Sequence, residues 1–563
     1  MDDRPMDTER HAPRHFGFPA GTGLADPSAD VLPLADRVAT KILAWQAEAA
    51  PDRNFVFFNG QWVTYGEADR RANRVANALA GIGIKKGDRV AIDMRNRLEY
   101  LDLWFGLARI GAIQVPINVD YRSPQIAHTL TRSKIDLVVV EPDLLNELET
   151  AFGEAKQRVP LILLNSGPTA GVIDYHDLIE RAPASAPPEW QGRVTGADIG
   201  AIMNTSGTTG PSKGVLMPHA QQYILGRNLA ADMQLGPDDI YFNFYPMFHN
   251  TAQAMIVIPV LLVGAKMVLT ERFSVSRFWS DIREHRCTAF YYIGEILRIL
   301  VKSTQRDDAH GSCLRVGWGI GASPEDAAEF TSRFNVDLRA GYGSTEANVP
   351  CYLPHGSVKQ GSAGCVVPGF EVRIADALGQ PLATETVGEI LVRSHEPCAT
   401  MAGYDGDAAA TAAAWKDLWL HTGDAGRFDV DGHLFFAGRI KDAIRVRGES
   451  VSAYEVESII QENPAVMEVA AIAVPGELGG DDVKIVVVPR PGTVLSPESL
   501  VEIAQARLPK YAVPRYIEIV DALPKTATNK VMKHELRANP FSPTTWDRLA
   551  GATKPASSEK SAG

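Results

Sequence analysis

The first third of the chain alternates between short apolar runs and longer stretches in which apolar residues recur at helical spacing. Runs of strand length lie at 89–94, 113–117 and 135–140, and the periodic stretch 98–112 predicts a helix. A second helix is expected directly after Pro124. Strands that alternate with helices are typical of parallel sheets whose faces are covered by helices, so we expect an α/β fold.

A further apolar run, 199–204, predicts a strand that enters a loop rich in glycine and hydroxyl groups, 205–214. Helical spacing resumes after His219, so we expect this loop to join a strand to a helix. Backbone N–H groups at glycines and nearby hydroxyls donate to phosphate oxygens, and Lys213 would neutralise their charge. No register of the loop has the GxxxxGK[ST] spacing of a P-loop. Taken alone, such a composition is also typical of a flexible surface segment.

The composition changes at 438–448, where Arg439, Lys441, Arg445 and Arg447 crowd into one short run. A solvated charged edge would explain this run equally well. The residues that follow predict a small α+β unit of common domain size. Its expected elements are a helix at 454–461, a strand ending near Val474, a strand at 483–490, a helix at 497–508 and a strand at 515–520.

Composition excludes several classes of protein. The 563 residues are 45% apolar and 22% charged, which is ordinary for a large globular enzyme of more than one domain. The net charge of −12 argues against general nucleic-acid binding, which needs a basic face. The apolar run 251–265 is too short to cross a membrane and contains Pro259, so it predicts buried core.

The five cysteines are scattered without a CxxC pair or zinc-ligand spacing, which favours a reduced compartment. No apolar targeting segment follows Met1, because the opening residues carry charges of both signs. We therefore expect a cytoplasmic protein.

The string TSGTTGPSKG at 205–214 resembles the phosphate loop of the adenylate-forming (AMP-binding) superfamily, which includes acyl-CoA synthetases, peptide adenylation domains and luciferases. The likeness continues in order from Thr64 to Arg537. It implies a large multi-lobed N-terminal domain of parallel-rich sheets flanked by helices, followed by a small α+β C-terminal domain on a hinge. The implied divisions are a mobile extension at 1–35, the large domain at 36–437, the hinge at 438–442, the small domain at 443–545 and a mobile tail at 546–563.

Further segments carry the same resemblance and imply the contacts of the nucleotide. These segments are FYPMFHNTAQ (244–253), GIGASP (319–324), GYGSTE (341–346), LHTGD (420–424), GRIKDAIRVRGESVSAYEVE (438–457) and LPKTATNKV (523–531). The implied nucleotide-binding residues are Thr205, Ser206, Gly207, Thr208, Thr209, Gly210, Lys213, Gly321, Ala322, Ser323, Gly341, Tyr342, Gly343, Asp424 and Arg439.

The resemblance also implies individual roles. Tyr342 would stack on adenine, while Asp424 and Arg439 would bind the ribose hydroxyls. The implied catalytic residues are Lys530, Glu346, Thr345 and His249, with Glu346 and Thr209 on a Mg²⁺ ion shared with the phosphates. Without the resemblance, His249 would be taken as a core histidine and Asp424 as a turn or helix cap.

Acyl and CoA contacts follow from the same likeness. His249, Gly294, Gly319 and Gly321 would line the substrate pocket, whose small residues leave space for a bulky or long acid. The remaining implied residues are Arg447 and Gly448 for CoA and Lys441 as the hinge pivot.

The implied activity is an ATP-dependent acid–CoA ligase that uses ATP, Mg²⁺ and CoA. It forms an acyl-adenylate with release of pyrophosphate, then a CoA thioester with release of AMP. Another adenylate-forming activity and a non-catalytic nucleotide sensor remain as alternatives. The partners are a small-molecule carboxylic acid, ATP and CoA, without nucleic acid or a transmembrane segment, and a homodimer is left open.

The identity of the acid stays open, because two cues differ. YYIGEILRIL (291–300) resembles very-long-chain acyl-CoA synthetases, whereas the stretch 95–118 is similar to crotonobetaine/carnitine-CoA ligases. Glu295 would pair with a cationic substrate or serve as a structural carboxylate. Asn529 and Leu418 stand where the family has glycine; asparagine tolerates a left-handed backbone, and leucine does not.

Overall fold

The computed structural model describes most of the chain. Described are residues 31–165, 172–187, 190, 192–205, 212–353, 357, 359–446, 449–476, 481–525, 531–550 and 552–553, without the side chains at 441, 443, 445, 449, 450, 552 and 553.

The described strands number from β1 to β29 in chain order. They are β1 Asn54–Phe58, β2 Gln61–Thr64, β3 Arg89–Asp93, β4 Ile113–Pro116, β5 Leu137–Val140, β6 Leu161–Leu163, β7 Ile173–Asp174, β8 Ile199–Thr205, β9 Lys213–Pro218, β10 Ile240–Asn243, β11 Lys266–Leu269, β12 Ala289–Ile293, β13 Val316–Ile320, β14 Asp337–Ser344, β15 Asn348–Tyr352, β16 Cys365–Val366, β17 Phe370–Ala375, β18 Gly388–Ser394, β19 Gly403–Tyr404, β20 Trp415–Lys416, β21 Trp419–Phe428, β22 Leu434–Arg439, β23 Ala443–Val446, β24 Glu449–Ser452, β25 Val466–Pro475, β26 Asp481–Pro489, β27 Tyr516–Ile519, β28 Trp546–Asp547 and β29 Ala552–Thr553.

The described helices number from α1 to α16. They are α1 Ala39–Ala49, α2 Tyr65–Gly81, α3 Leu98–Ile110, α4 Ser123–Ser133, α5 Leu145–Ala155, α6 Tyr175–Glu180, α7 His219–Asp232, α8 Asn250–Ala252, α9 Ile258–Val263, α10 Val275–His285, α11 Gly294–Ser303, α12 Pro324–Phe334, α13 Ala408–Ala414, α14 Ala453–Gln461, α15 Pro497–Arg507 and α16 Lys533–Ala538. Short 3₁₀ turns lie at Leu34–Asp36, Pro142–Leu144, Arg306–Ala309 and Ile440–Asp442, and a π-helical turn lies at Gln253–Val257.

Three sheets build the large domain. One has nine strands in the order β16-β15-β14-β13-β12-β10-β11-β1-β2, and a second has eight in the order β19-β9-β8-β4-β3-β5-β6-β7. A smaller antiparallel sheet joins β17, β18, β21 and β20, with β22 beside β21. The central pairs of the two large sheets are parallel, which confirms the predicted α/β fold with parallel-rich sheets.

Helices α2 and α3 show how the sequence builds this core. In α2 the side chain of Thr64 accepts from the backbone N–H of Glu67, and the Glu67 carboxylate accepts from the N–H of Thr64, which closes a capping box. Gly106 of α3 lies against Val75 of α2, where a Cβ atom would come within 2.6 Å of a methyl carbon. The absence of a side chain therefore lets the two helices pack closely.

The apolar run 251–265 forms α8, the π-helical turn and α9 inside the large core. Its prediction as buried core agrees with the structure, although periodicity gave no sign of the π-helical turn. No helix in the described part of the chain combines the length and hydropathy that a membrane crossing needs.

The prediction that the glycine-rich loop joins a strand directly to a helix is wrong. Strand β9 lies between the loop and α7 and pairs antiparallel with β8, with Thr205 opposite Lys213. The loop therefore connects two strands of a hairpin, and the dipole of a following helix does not point into it. The apolar residues of β9 fill both faces of a covered sheet, so they lack the alternation that marks a strand.

The small domain contains the elements predicted for it: α14, β25, β26, α15 and β27. Its sheet has the order β25-β26-β27-β28-β29. The last two strands belong to 546–553, so the sheet extends beyond the boundary predicted at 545, and the first part of the expected tail is ordered into it.

Candidate active site at the carboxyl edge of the nine-stranded sheet

Strands β10, β12, β13 and β14 run parallel, so their carboxyl ends meet at one edge of the sheet. Ligands of open α/β sheets bind at such edges. Four of the predicted segments follow these strand ends: the segment with His249, the start of α11 at Gly294, the turn at Gly321, and the turn with Glu346. The fold thus brings together residues that are about a hundred positions apart in sequence.

A tyrosine connects the predicted phosphate lysine with the predicted metal ligand. The Nζ atom of Lys213 lies over the ring of Tyr404, 4.5 Å from its centroid. The hydroxyl of Tyr404 donates to Oε1 of Glu346 at 3.2 Å. Burial and the Glu346 carboxylate both raise the pKa of Tyr404, so its hydroxyl remains a donor at neutral pH. The side chain of Tyr404 therefore contacts both the cation and the carboxylate.

The turn that carries Thr345 and Glu346 is held by hydrogen bonds to its backbone. Nε2 of Gln221 donates to the carbonyl of Thr345 at 2.7 Å, and the N–H of Met401 donates to the carbonyl of Glu346 at 2.9 Å. Asn348 follows with a φ of 67°, and its amide donates to the carbonyl of Ala399 at 2.8 Å. These contacts fix the main chain of the turn and do not involve the carboxylate of Glu346.

A second cluster joins Tyr342, Asp424 and Arg439. The Tyr342 hydroxyl donates to Oδ2 of Asp424 at 2.9 Å, and Nε of Arg439 lies 3.1 Å from Oδ1. Asp424 and Arg439 face each other across β21 and β22, which explains their contact. Burial raises the pKa of Tyr342, and the Asp424 charge raises it further. A carboxylate held in this way suits the predicted ribose hydroxyls.

Most of the glycines predicted for the site lie where neighbouring atoms leave no room for a side chain. At Gly294 a Cβ atom would lie 1.8 Å from the carbonyl oxygen of Gly321, and at Gly319 it would lie 2.2 Å from that of Tyr292. Gly341 and Gly343 are confined similarly, by Trp318 and Asn348.

Gly321 differs from this group. It has a φ of 71° and nothing within 4 Å of its Cβ position. The inference that Gly294 leaves room for a bulky acid is therefore corrected, because backbone fills that space. Open space exists only beside Gly321 among these three pocket glycines.

His249 caps the short helix α8. Its Nδ1 accepts from the backbone N–H of Thr251 at 3.2 Å and lies 2.9 Å from the Thr251 hydroxyl. In the neutral ring the proton is therefore on Nε2. The ring thus has a fixed tautomer at the edge of the sheet, and its catalytic role remains a prediction.

Ser323 also caps a helix. Its Oγ accepts from the N–H of Asp326 at 3.1 Å, at the start of α12. This contact is structural, and Ala322 before it packs against the neighbouring aromatic cluster. Their nucleotide contacts stay predictions.

Several predicted residues lie outside the described part of the chain. These are Ser206, Gly207, Thr208, Thr209, Gly210, Arg447, Gly448, Asn529 and Lys530, together with the side chain of Lys441. Thr205 is described, and its hydroxyl donates to the carbonyl of Lys213 at 3.4 Å, across the base of the loop.

Three residues of the site were not predicted from the sequence. Tyr404 contacts the side chains of Lys213 and Glu346. Gln221 and Asn348 hold the turn that carries Thr345 and Glu346. Tyr404 reaches the site because β19 pairs with β9 across almost two hundred residues. A local pattern carries no signal for such a contact.

Comparison with known proteins identifies the family. Residues 43–405 match the model of the AMP-binding enzymes, and residues 455–530 match the model of the AMP-binding enzyme C-terminal domain. Among curated proteins, the chain is similar to the crotonobetaine/carnitine–CoA ligase of Salmonella arizonae, with 31% identity over 85% of this chain and 93% of that protein. The enzyme of the same name from Proteus mirabilis is 32% identical over 84% of this chain and 93% of its own length.

Solved structures agree with this assignment. The anthranilate CoA ligase AuaEII, in complex with anthranoyl-AMP, aligns with a TM-score of 0.82 and 26% identity over 90% of this chain and 98% of that one. The o-succinylbenzoate CoA synthetase of Bacillus subtilis, in complex with its acyl-adenylate intermediate, gives 0.78 and 25% over 88% and 97%. The chain therefore belongs to the family of AMP-binding enzymes and is an adenylate-forming acid–CoA ligase, as its sequence predicts.

Proposed function

We propose that both half-reactions of this ligase take place at the edge where β12, β13 and β14 end. A free carboxylate resists attack by a thiol, because its charge is delocalised and oxide is a poor leaving group. In the first step the carboxylate attacks the α-phosphorus of ATP, the bond to pyrophosphate breaks, and an acyl-adenylate forms. In the second step the CoA thiolate attacks the acyl carbon, and AMP leaves.

The contact of Lys213, Tyr404 and Glu346 is the observation that carries this proposal. Negative charge gathers on the phosphates during the displacement, and fixed charges stabilise it more than mobile ones do. Lys213 and Glu346 both contact the side chain of Tyr404. Lys530 and the hydroxyl of Thr345 complete the proposed set around the α-phosphate.

The residues present fit a Mg²⁺ ion shared with ATP. The described residues contain no group of three or more His, Cys, Asp or Glu side chains able to hold a metal. A nucleotide-bound Mg²⁺ needs only one or two protein oxygens, since phosphates and water supply the others. We assign Glu346 and Thr209 to it, and the ion would neutralise phosphate charge. The hydrogen bond from Tyr404 to Oε1 would orient the carboxylate of Glu346.

The second half-reaction needs Lys530 to withdraw and CoA to enter. We propose that the small domain, beginning after the hinge at 438–442, turns about Lys441 to exchange the two arrangements. Arg447 and Gly448 are then the proposed CoA contacts. The short 3₁₀ turn Ile440–Asp442 between β22 and β23 supports a pivot there, since few backbone torsions separate the two domains.

The acid that this ligase activates is a small-molecule carboxylic acid, and the relatives and structural neighbours are named for different classes of acid. Two of the relatives are named for crotonobetaine and carnitine, while two of the structural neighbours are named for the aromatic acids anthranilate and o-succinylbenzoate. We place the reaction in the cytoplasm, with ATP, CoA and the acid as partners. A homodimer is compatible with this assignment.

Pyrophosphate release tests the proposal. The purified chain is mixed with ATP, Mg²⁺ and CoA and with carnitine-type, aromatic, short-chain, long-chain and steroid acids in turn. We expect acid-dependent release and a CoA thioester of matching mass with at least one class. Release of pyrophosphate without a thioester, or no release with any acid, would contradict the proposal.

The role of Lys530 has its own test. Lys530→Ala is expected to abolish acid-dependent pyrophosphate exchange and to keep thioester formation from synthetic acyl-adenylate and CoA. Equal loss of both half-reactions would show that Lys530 does not act in the first step alone.

A further inference from the structure

Glu295, the carboxylate of uncertain role at the start of α11, contacts the small domain. Nζ of Lys525 lies 2.9 Å from Oε1 of Glu295 and 2.8 Å from Oε1 of Glu468. Glu468 belongs to β25 of the small domain, as Lys525 does to the segment after β27, whereas Glu295 belongs to the large domain. Lys525 thus joins one carboxylate from each domain, and we call this three-residue cluster the docking contact.

Lys525 lies five residues before Lys530 in the chain. Lys525 forms an antiparallel bridge with Val531, and the N–H of Met532 donates to the carbonyl of Pro524 at 2.8 Å. These bonds close the base of the segment 526–530, which carries Lys530 and lies outside the described residues. A closed base fixes where both ends of that short segment stand.

The other end of the docking contact lies beside the active-site edge. Glu295 follows Gly294, whose Cα is packed against the carbonyl of Gly321 without room for a Cβ atom. The first turn of α11 is therefore packed directly against the turn after β13. A contact to Glu295 sets the base of the Lys530 segment relative to these two turns.

We propose that Glu295 and Lys525 are positioning residues for the adenylating step: their ion pair anchors Lys525, which lies five residues before Lys530 in the chain, against the first turn of α11. This inference rests on the proposed role of Lys530 and adds the device that brings it into place. It also gives Glu295 a role other than binding a cationic acid. In the thioester-forming step the small domain turns away, and the Glu295–Lys525 bond breaks while Lys525 keeps Glu468.

The exposure and charge of the side chains near the docking contact suit an ion pair that breaks in each turnover. All three side chains of the docking contact are between 22% and 29% exposed, so water screens the attraction. One turn along α11, Arg298 faces the like charge of Arg490 from the small domain. Arg298 is also paired with Asp326, at 2.9 Å. The like charges of Arg298 and Arg490 therefore offset part of the attraction that the docking contact supplies.

Variants of the docking contact separate this proposal from a structural role. Glu295→Gln removes only the ion pair between the domains, and Glu468→Gln removes only the ion pair inside the small domain. Lys525→Arg keeps the positive charge that pairs with both carboxylates. We expect Glu295→Gln to lower the rate constant of acid-dependent pyrophosphate exchange about fivefold. Thioester formation from synthetic acyl-adenylate should stay within about twofold of the parent, because that step does not use the docked state.

The other two variants are the controls. Lys525→Arg should retain most of the exchange activity, and Glu468→Gln should lose less than Glu295→Gln. A loss of both half-reactions in Glu295→Gln, or no loss in either, would overturn the positioning role. A parent protein without any acid-dependent release would instead contradict the proposed function, so the two failures are distinct.

The acid panel separates positioning from substrate recognition. If Glu295 places Lys530, its variant loses activity by a similar factor with every acid that the parent accepts. A loss confined to acids that carry a cation would assign Glu295 to the substrate and overturn the proposal.

Discussion

Two regions of the molecule meet at the active-site edge, and they are built differently. The nucleotide region, defined by Lys213, Tyr342, Glu346, Tyr404 and Asp424, is held by contacts inside the large domain. Tyr342 and Asp424 are 6% and 4% exposed there. The docking contact joins two domains through side chains that are 22% to 29% exposed.

This difference follows from what each region does. Donors and charges that stabilise a transition state act best when they are fixed in a dry environment, because little reorganisation is then needed. A contact that forms and breaks in each turnover must instead be weak. We therefore expect large effects of substitution in the nucleotide region and small ones in the docking contact.

The largest effect is expected at Asp424. Asp424→Asn removes a charge that would bind two ribose hydroxyls, and hydrogen bonds to a charged group contribute about 1.5–3 kcal/mol. We expect kcat/KM for ATP to fall about 100-fold, mostly through KM, which equals about 3 kcal/mol. Steady-state kinetics at saturating acid and CoA measure this change.

Circular dichroism of Asp424→Asn provides the control, since the fold should be retained. A loss no larger than that of Glu295→Gln would contradict the distinction between the two regions.

Buried His219 makes the stability of the fold depend on pH. It begins α7 directly after β9, is 3% exposed, and neither ring nitrogen has a hydrogen-bond partner among the described residues. Burial lowers the pKa of His219 from 6.5 to about 4. The unfolded chain therefore binds one more proton between these values, and the folded state loses up to about 3 kcal/mol as the pH falls through that window.

His219→Phe, which keeps a planar ring, should remove this slope. Chemical denaturation at several pH values between 4 and 7 measures it, with His310→Gln, a change at an exposed histidine, as the matched control. Asp93 acts in the opposite sense, because burial raises its pKa to about 8. Only the difference between variant and parent therefore isolates His219, and equal slopes would show that its charge state does not matter.

Tyr404 should give an effect of intermediate size. Tyr404→Phe keeps the ring under Lys213 and removes the hydrogen bond to Glu346, which contributes about 1 kcal/mol. We expect kcat to fall about fivefold with little change in KM for ATP, and Tyr404→Leu to lose more because the cation also loses its ring. Tyr511→Phe, at an exposed tyrosine, is the control. A rise in KM alone would mean that Tyr404 binds nucleotide and does not orient Glu346.

Features that depend on neighbouring residues could be predicted from the sequence, whereas contacts between residues far apart in the chain could not. Helices and strands such as α3 and β3 follow from local periodicity, and the site segments follow from the family resemblance. Tyr404 was missed because its contact with Lys213 depends on pairing between β19 and β9, which periodicity does not encode. Glu295 was left between two roles, because its partner Lys525 is 230 residues away and in the other domain.

The smallest effect is expected at Leu418, where the family resemblance predicts glycine. Asp417 and Leu418 form the two-residue turn between β20 and β21, with φ values of 49° and 66°. A left-handed conformation costs a leucine about 1 kcal/mol, and its side chain is 78% exposed and contributes little packing in return.

Leu418→Gly should therefore stabilise the folded state by up to about 1 kcal/mol, less the larger backbone entropy of glycine in the unfolded chain. Thermal unfolding of parent and variant measures the shift, with Leu378→Gly as a control at another exposed leucine whose φ is not positive. Catalysis should not change, because the exposed turn is six residues from Asp424 along β21. A lower midpoint in Leu418→Gly than in the control would mean that the exposed leucine makes a contact that outweighs its strained backbone.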